Sequence, residues 1–214
     1  MKRIQLINTL PQVFAKSNQI VSDVWCKNLS FERGQHYLIE ANSGVGKSSL
    51  CSFIYGNRTD YQGVIKFDDN EASSLNQKRW IELRNNELSM LFQDLKLFPE
   101  LTAYENVKIK NRLTNFKKRA EIFALFEELG IEDKANKRVE HLSFGQQQRV
   151  AFIRSLCQPF DFIMLDEPIS HLDKSNGAIV ADILLREATQ REASIITTSI
   201  GHHLPLPYNH TLKL

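Results

Sequence analysis

The chain has 214 residues, of which 42% are hydrophobic and 24% charged, and its formal net charge at pH 7 is +2. This length suits one α/β domain with a small inserted subdomain, and the composition is that of an ordinary globular protein. A charge so close to neutral gives no reason to expect a nucleic-acid partner. No apolar run approaches the roughly 20 residues that a membrane helix needs, so any work at a membrane has to depend on another subunit.

Cysteine usage indicates a reducing compartment. The three cysteines, Cys26, Cys51 and Cys157, are far apart and do not have the spacing of metal ligands. An odd number of dispersed cysteines is typical of a cytosolic protein without disulfides. We therefore expect the chain to be cytoplasmic.

Short apolar runs, typical of strands, alternate with segments that have the periodicity of helices. The predicted strands cover residues 35–41, 63–69, 161–168, 194–198 and 210–214. The predicted helices cover 47–56 and parts of 101–141, where Gly130 follows an apolar stripe as a helix-terminating residue should. This alternation indicates a parallel sheet, whose ligands bind at the carboxyl ends of the strands.

A glycine-rich loop, ANSGVGKSS at 41–49, lies between the first of these strands and the helix that follows it. Backbone N–H groups in such a loop converge on a β-phosphate, and the helix N-terminus favours negative charge. Lys47 is suited to reach the β- and γ-phosphates and Ser48 to hold Mg²⁺. The predicted ATP-binding residues are Asn42, Ser43, Gly44, Val45, Gly46, Lys47, Ser48 and Ser49. Ala41 replaces the usual first glycine, and we expect an extended conformation there to accept its methyl group.

Two acidic residues end the apolar strand FIMLDEP. Asp166 is suited to orient Mg²⁺ or its water, and Glu167 is suited to polarise an attacking water as general base. Because parallel strands end at the same edge of the sheet, both carboxylates should lie beside the glycine loop.

The segment HLSFGQQQRVAFIRSL, residues 141–156, resembles the signature motif of ABC ATPases, usually written LSGGQ. Four residues match that motif: Leu142, Ser143, Gly145 and Gln146. Phe144 stands where a glycine is common. The resemblance implies that Ser143, Gly145 and Gln146 present hydrogen-bond donors to the γ-phosphate of a nucleotide bound to a second copy of the chain.

The resemblance covers nearly the whole chain and has further implications. It implies that Gln93, in MLFQD, is the loop glutamine that senses Mg²⁺ and couples to a transport partner. It also implies that SHLD, residues 170–173, is the D-loop, with Asp173 near a dimer interface and the nucleotide. Residues 84–107 are similar to the lipoprotein-release, macrolide-export and cell-division subfamily.

The fold implied is that of an α/β P-loop NTPase with a RecA-like parallel-sheet core, an N-terminal antiparallel β part and an inserted helical subdomain. One ABC ATPase domain would cover residues 1–214. Its core would consist of about 1–94 and 143–214, and its helical subdomain of about 95–142.

Two aromatic side chains are candidates for the ring that family members offer to adenine. Phe14 is the first candidate and Trp25 the second, and a role in the hydrophobic core is the alternative for each.

The switch histidine of the family has no direct counterpart. Thr198 matches the threonine that often precedes it, and Ser199 then occupies the histidine position. Either His202 or His203 fills the role after a loop rearrangement, or the switch is lost. Losing an imidazole that acts mainly in the transition state would slow hydrolysis and spare binding.

Several basic residues cluster in the predicted helical insert: Lys108, Lys110, Arg112, Lys117, Lys118 and Arg119. They are either a solvated helix face or a contact surface for an acidic partner helix or lipid headgroups.

The resemblance implies an ATP- and Mg²⁺-dependent ATPase subunit of an ABC transporter, and Glu167 and Gln93 favour that reading. It would act as a homodimer on separate membrane permease subunits and lie peripherally on the inner face of the membrane. A nucleotide-gated regulatory module with little hydrolysis is the alternative, favoured by Ser199. A small-molecule P-loop kinase would have no use for the signature.

Overall fold

The computed structural model describes residues 1–15, 21–42, 44–169 and 174–214. The predictions for Ser43, for Asp173 and for the rest of 170–173 lie outside these ranges. Within them the chain forms two β-sheets and six α-helices. No helix in the described ranges is both long and apolar enough to cross a membrane.

An antiparallel sheet at the N-terminal side has the strand order β2–β1–β4–β5. Its strands are β1 (Arg3–Pro11), β2 (Asn28–Glu32), β4 (Tyr61–Phe67) and β5 (Asn70–Glu71). Strand β1 alternates in burial, so that Ile4 and Leu6 lie in the core. Ile4 is paired with Phe31 on one side and with Phe67 on the other, which gives this sheet one apolar face.

A parallel sheet has the order β6–β7–β8–β3–β9. Its strands are β3 (His36–Glu40), β6 (Leu88–Leu91), β7 (Phe162–Asp166), β8 (Ser194–Ser199) and β9 (His210–Lys213). In the register of the sheet, Asp166 lies opposite Thr198, and Glu40 lies opposite Ser199. The ends of β3, β7 and β8 therefore meet at one edge, where the glycine loop begins.

Six helices connect and cover the strands. They are α1 (Lys47–Ile54), α2 (Gln77–Asn86), α3 (Ala103–Asn111), α4 (Arg119–Glu128), α5 (Phe144–Leu156) and α6 (Lys174–Thr189). A capping box of Thr102 and Glu105 starts α3. Gly130, with φ of 63°, follows the C-cap of α4 and ends that helix in the left-handed conformation that glycine favours.

Strand β7 has a hydrophobic core on each of its faces. Ile163 and Leu165 join a cluster with α3, α4, α5 and α6, whereas Phe162 and Met164 join a cluster with the antiparallel sheet and α1. All five residues of β7 are buried, as is usual for a strand covered on both sides. The acids at its end are thus held by two cores at once.

The predicted fold class is confirmed by these two sheets and six helices. The predicted strands exist with bounds shifted by one or two residues, and 101–141 contains α3, α4 and two short 3₁₀ turns. The division into a core and a helical subdomain at about 95–142 stays a prediction.

A buried ion cluster links the segment between α3 and α4 to α6. Lys117 Nζ lies 2.8 and 2.9 Å from the two carboxylate oxygens of Glu187, and both side chains are only 7% exposed. Arg191 Nη2 lies 2.8 Å from the same carboxylate. One buried carboxylate therefore pairs with two cations that come from different parts of the chain.

Replacing Glu187 with Gln should lower the free energy of unfolding by about 3–5 kcal/mol, because Lys117 stays buried without a counter-charge. Urea denaturation of the two proteins measures the difference. Glu128→Gln is the matched control, since Glu128 pairs with Arg186 at the surface with 40% and 45% exposure and should contribute under about 1 kcal/mol. Equal losses in the two variants would contradict this role of the buried cluster.

Candidate active site

The glycine loop has a backbone that only glycine adopts without strain. Gly44 and Gly46 have φ of 85° and 105°, and Gly46 is the N-cap of α1. A Cβ on Gly46 would lie 3.2 Å from ring carbons of both Phe14 and Trp25. The loop is thus fixed by its own conformation and by two aromatic rings behind it.

Ala41 fits its position because the chain is still close to strand geometry there. It is not among the described non-glycine residues with positive φ. Its N–H donates to the carbonyl of Ser199 at 3.1 Å, which continues the pairing of β3 with β8. A methyl group at this point requires no special backbone, which explains why glycine is not needed.

Lys47 is the buried cation of the site, with 5% of its surface exposed. Its Nζ donates to the carbonyls of Ala41 at 3.2 Å and Asn42 at 2.8 Å. It also lies 3.4 Å from Glu167 Oε1. The amine is therefore held beside both the loop and the acid that ends β7.

Gln93 links the other two polar groups of the site. Ser48 Oγ donates to Gln93 Oε1 at 3.2 Å, and Gln93 Nε2 donates to Glu167 Oε2 at 3.2 Å. Together with the Lys47–Glu167 pair, these bonds join four predicted residues into one continuous set of contacts. Sequence positions 47, 48, 93 and 167 thus meet at a single place.

Thr198 fixes the two acids at the end of β7. Its hydroxyl donates to Asp166 Oδ1 at 2.7 Å and accepts from the N–H of Glu167 at 3.2 Å. Glu167 has φ of 51°, a conformation that is uncommon for a side chain of its size. This turn directs the two neighbouring carboxylates differently, Asp166 into a buried position and Glu167 toward Lys47.

The three residues predicted to hold Mg²⁺ lie together. Ser48, Gln93 and Asp166 all line one pocket of about 390 Å³. Hydroxyl, amide and carboxylate oxygens are the hard donors that Mg²⁺ prefers, so this set fits the ion.

A cleft of about 350 Å³ adjoins these groups. Predicted site residues that line it are Phe14, Gly44, Gly46, Lys47, Ser48, Ser49, Gln93 and Glu167. Sequence reasoning missed three other lining residues, Val13, Arg58 and Ile200. Arg58 donates to Ser49 Oγ at 3.0 Å and pairs with Asp60, but it belongs to no motif that would have indicated it.

The two aromatic candidates have different surroundings. Phe14 is half-buried at the wall of the cleft, in the 3₁₀ turn Gln12–Phe14. Trp25 is 2% exposed, and its indole N–H donates to the carbonyl of Val45 at 3.2 Å. Trp25 thus supports the loop from behind, and Phe14 is the ring available to a ligand.

The histidine candidates lie away from the cleft. Ser199 is buried, and its hydroxyl donates to the carbonyl of His202. The side chains of His202 and His203 are exposed, and neither is among the described residues that line the cleft. The neighbouring residue in the cleft wall is Ile200, which cannot exchange a proton with a phosphate.

The signature residues start helix α5. Ser143 and Gln146 form a capping box, with the Ser143 N–H donating to Gln146 Oε1 at 3.0 Å. Gly145 lies in the first turn. In the part of the chain that the structure describes, none of these three residues lines the cleft. Gln148 of the same helix donates to the carbonyl of Pro168 at 2.7 Å, which connects α5 to the turn after the acids.

A parallel sheet with a glycine loop, a loop lysine and acids at the neighbouring strand ends defines a P-loop NTPase. A protein-family model described as "ABC transporter" matches residues 26–170. The chain therefore belongs to the ABC transporter family, and it is an ATP-binding cassette ATPase.

Two curated relatives show the level of similarity. The lipoprotein-releasing system ATP-binding protein LolD of Leptospira interrogans is 33% identical over 92% of this chain and 81% of the relative. The methionine import ATP-binding protein MetN 2 of Bacillus cereus is 32% identical over 92% of this chain, which spans only 58% of that relative.

Solved structures of the bacterial cassette MJ0796 are also similar. One of these structures, described as dimeric, has a TM-score of 0.76 and is 25% identical in sequence. The match covers 91% of this chain and 87% of the solved chain. Another structure, described as a post-hydrolysis dimer bound to ADP and Pi, has a TM-score of 0.74 and is 26% identical in sequence. The match covers 92% of this chain and 87% of the solved chain.

Gly46→Ala should weaken ATP binding about fivefold or more, because a side chain at this φ carries strain of about 1–3 kcal/mol. Isothermal titration with ATP measures the change. The matched control is Ala41→Gly, which restores the usual motif and should leave affinity within about twofold. Unchanged affinity in Gly46→Ala would show that the loop tolerates a Cβ.

Proposed function

We propose that two copies of this chain bind ATP and Mg²⁺ between them and hydrolyse the ATP to drive separate membrane permease subunits. The observation that carries the proposal is the continuous set of contacts among Lys47, Ser48, Gln93 and Glu167 beside the glycine loop. It places a cation, a metal-binding hydroxyl and a general base around one small space.

The residues divide the chemistry among them. The loop amides and Lys47 stabilise the β- and γ-phosphates, since both are donors fixed before the substrate arrives. Ser48, Gln93 and Asp166 hold Mg²⁺, which neutralises phosphate charge when bound. Glu167 accepts a proton from the attacking water. Phe14 stacks on the adenine from the wall of the cleft.

The position of the signature supports a second copy. Ser143, Gly145 and Gln146 are at the start of α5, outside the cleft that holds Lys47. A helix start is suited to a phosphate that another subunit brings, because its dipole favours negative charge. The similar MJ0796 structures are described as dimeric, and Asp173 is proposed to lie at the same interface.

Membrane partners are proposed from the relatives. LolD is named for a lipoprotein-releasing system and MetN for methionine import. Release and import share only the ATP-driven step, so the proposal assigns that step and no cargo. The chain would be cytoplasmic and bind at the inner face of the membrane through its permease subunits.

A second candidate function is a regulatory ATP-binding module with slow hydrolysis. The observation that favours it is Ile200 in the cleft wall, with Ser199 buried and His202 exposed. An apolar side chain gives no transition-state stabilisation to a γ-phosphate, although it leaves ground-state binding intact.

Lys47→Ala should abolish measurable ATP binding, and Glu167→Gln should bind ATP normally but lower phosphate release by about 100-fold or more. With ATP bound, Glu167→Gln should also have the molar mass of a dimer in light scattering, because hydrolysis no longer separates the two copies. Wild-type phosphate release from Glu167→Gln, or a monomer under all conditions, would overturn the proposal.

Ile200→His distinguishes the two candidates, because it places an imidazole in the cleft wall. If the second candidate is right, phosphate release should rise about tenfold or more with little change in ATP affinity. Ser199→His is the matched control, since the buried Ser199 side chain points to the carbonyl of His202 and does not line the cleft. A wild-type rate of about 1 s⁻¹ or faster would exclude the second candidate directly.

A further inference from the structure

Arg58 lines the cleft of the active site, although it belongs neither to the glycine loop nor to the acidic end of β7. It lies in the segment between α1 and β4, where its backbone N–H donates to the carbonyl of Ser52 at 3.3 Å. This bond holds its main chain against the last turns of α1. The side chain is 41% exposed, so it is accessible to a ligand in the cleft.

The guanidinium of Arg58 is fixed on several sides. Its Nε donates to Asp60 Oδ1 at 2.9 Å, and its Nη2 donates to Asp60 Oδ2. Its Nη1 donates to Ser49 Oγ at 3.0 Å. Its Cζ lies 5.2 Å from the ring centroid of the buried Phe53. A two-bond ion pair and an aromatic ring together define the plane of the group, so its donors are oriented before any ligand binds.

Two donors of this guanidinium are left for a ligand. An arginine side chain carries five N–H hydrogens, and the hydrogen bonds that the structure describes use three of them. One hydrogen remains on each terminal nitrogen. Because Nη1 already contacts the Ser49 hydroxyl, its remaining N–H lies beside the glycine loop.

Arg58 also adjoins the element proposed to hold the adenine. The carbonyl of Asp60 accepts from the N–H of Gln12 at 2.9 Å, and Gln12 begins the 3₁₀ turn that ends at Phe14. Asp60 therefore holds the guanidinium through its side chain and the turn of Phe14 through its main chain. Arg58 thus lies where the phosphate loop and the aromatic wall of the cleft meet.

We propose that Arg58 is a further nucleotide-binding residue, whose Nη1 donates to a non-bridging oxygen of the α-phosphate while Asp60 fixes the guanidinium. This inference rests on the proposed function, which assigns adenine to Phe14 and the β- and γ-phosphates to Lys47. The α-phosphate joins those two parts of ATP, so it is the phosphate closest to a side chain that lies between them.

Arg58→Met tests this contact, because it removes the donors and keeps a side chain of similar reach. Isothermal titration should show about tenfold weaker binding of both ADP and the β,γ-imido analogue of ATP. The factor should be the same for both ligands, because both contain the α-phosphate.

Arg3→Met is the matched control. Arg3 pairs with Asp69 and is 43% exposed, and it is not among the described residues that line the cleft. Its replacement removes a similar surface ion pair and should leave both affinities within about twofold of the wild type.

The two α-thio diastereomers of ADP provide a second readout, which a merely structural role would not change. Sulfur accepts hydrogen bonds poorly, so the wild type should bind one diastereomer several-fold more weakly than ADP. Arg58→Met should reduce this difference, because the donor that senses the oxygen is gone. Arg58→Lys keeps a cation at the site and should bind ADP more tightly than Arg58→Met does.

Thermal unfolding without nucleotide separates binding from folding. Arg58→Met should unfold within about 3 °C of the wild type, since a half-exposed ion pair contributes little to stability.

Three results would overturn the inference. They are unchanged ADP affinity in Arg58→Met, a loss confined to the imido analogue, which would assign the arginine to the γ-phosphate, and a diastereomer preference that survives in full. A wild type that binds ATP but neither hydrolyses it nor dimerises would remove the proposed function instead. The comparison of ADP affinities would keep its outcome in that case, so the two failures are distinguishable.

Discussion

The ion pair between Lys47 and Glu167 is the constraint on which the active site depends. Lys47 begins α1 after the glycine loop, and Glu167 follows the buried strand β7. The two residues meet only because β3 and β7 lie in one parallel sheet, each hydrogen-bonded to β8, with their carboxyl ends at the same edge. Any shift of register between these strands would separate the lysine from the acid and break the set of contacts through Gln93.

Much of this arrangement was predictable, because the residues concerned have local requirements. Gly44 and Gly46 indicate a backbone that other residues avoid, and an apolar run ending in acids indicates a buried parallel strand. Arg58 and Ile200 were not predictable, since they reach the cleft through tertiary packing and belong to no spaced motif. The position of the switch histidine illustrates this limit. Comparison with the family's motif selects Ser199, but in the structure it is Ile200 that lines the cleft.

The basic residues in and between α3 and α4 show a second limit of sequence reasoning. Lys110 and Lys117 are the same residue type seven positions apart, and neither is a simple solvated charge. Lys117 forms an ion pair with Glu187, which lies 70 positions further along the chain. Lys110 instead lies near two arginines, Arg84 and Arg154. Burial and partner depend on which elements pack together, and the charge pattern alone cannot distinguish a structural ion pair from a cation that lacks an acid.

The position of β7 between two cores has a consequence for the folding of the protein. Because alternate side chains of this strand enter different clusters, its acidic end is fixed only when both clusters have formed. A chain in which only one of the two clusters has formed would have a glycine loop able to bind phosphate, but Glu167 would not yet be held in place. Catalytic competence should therefore appear late, as a property of the completed molecule and not of either half.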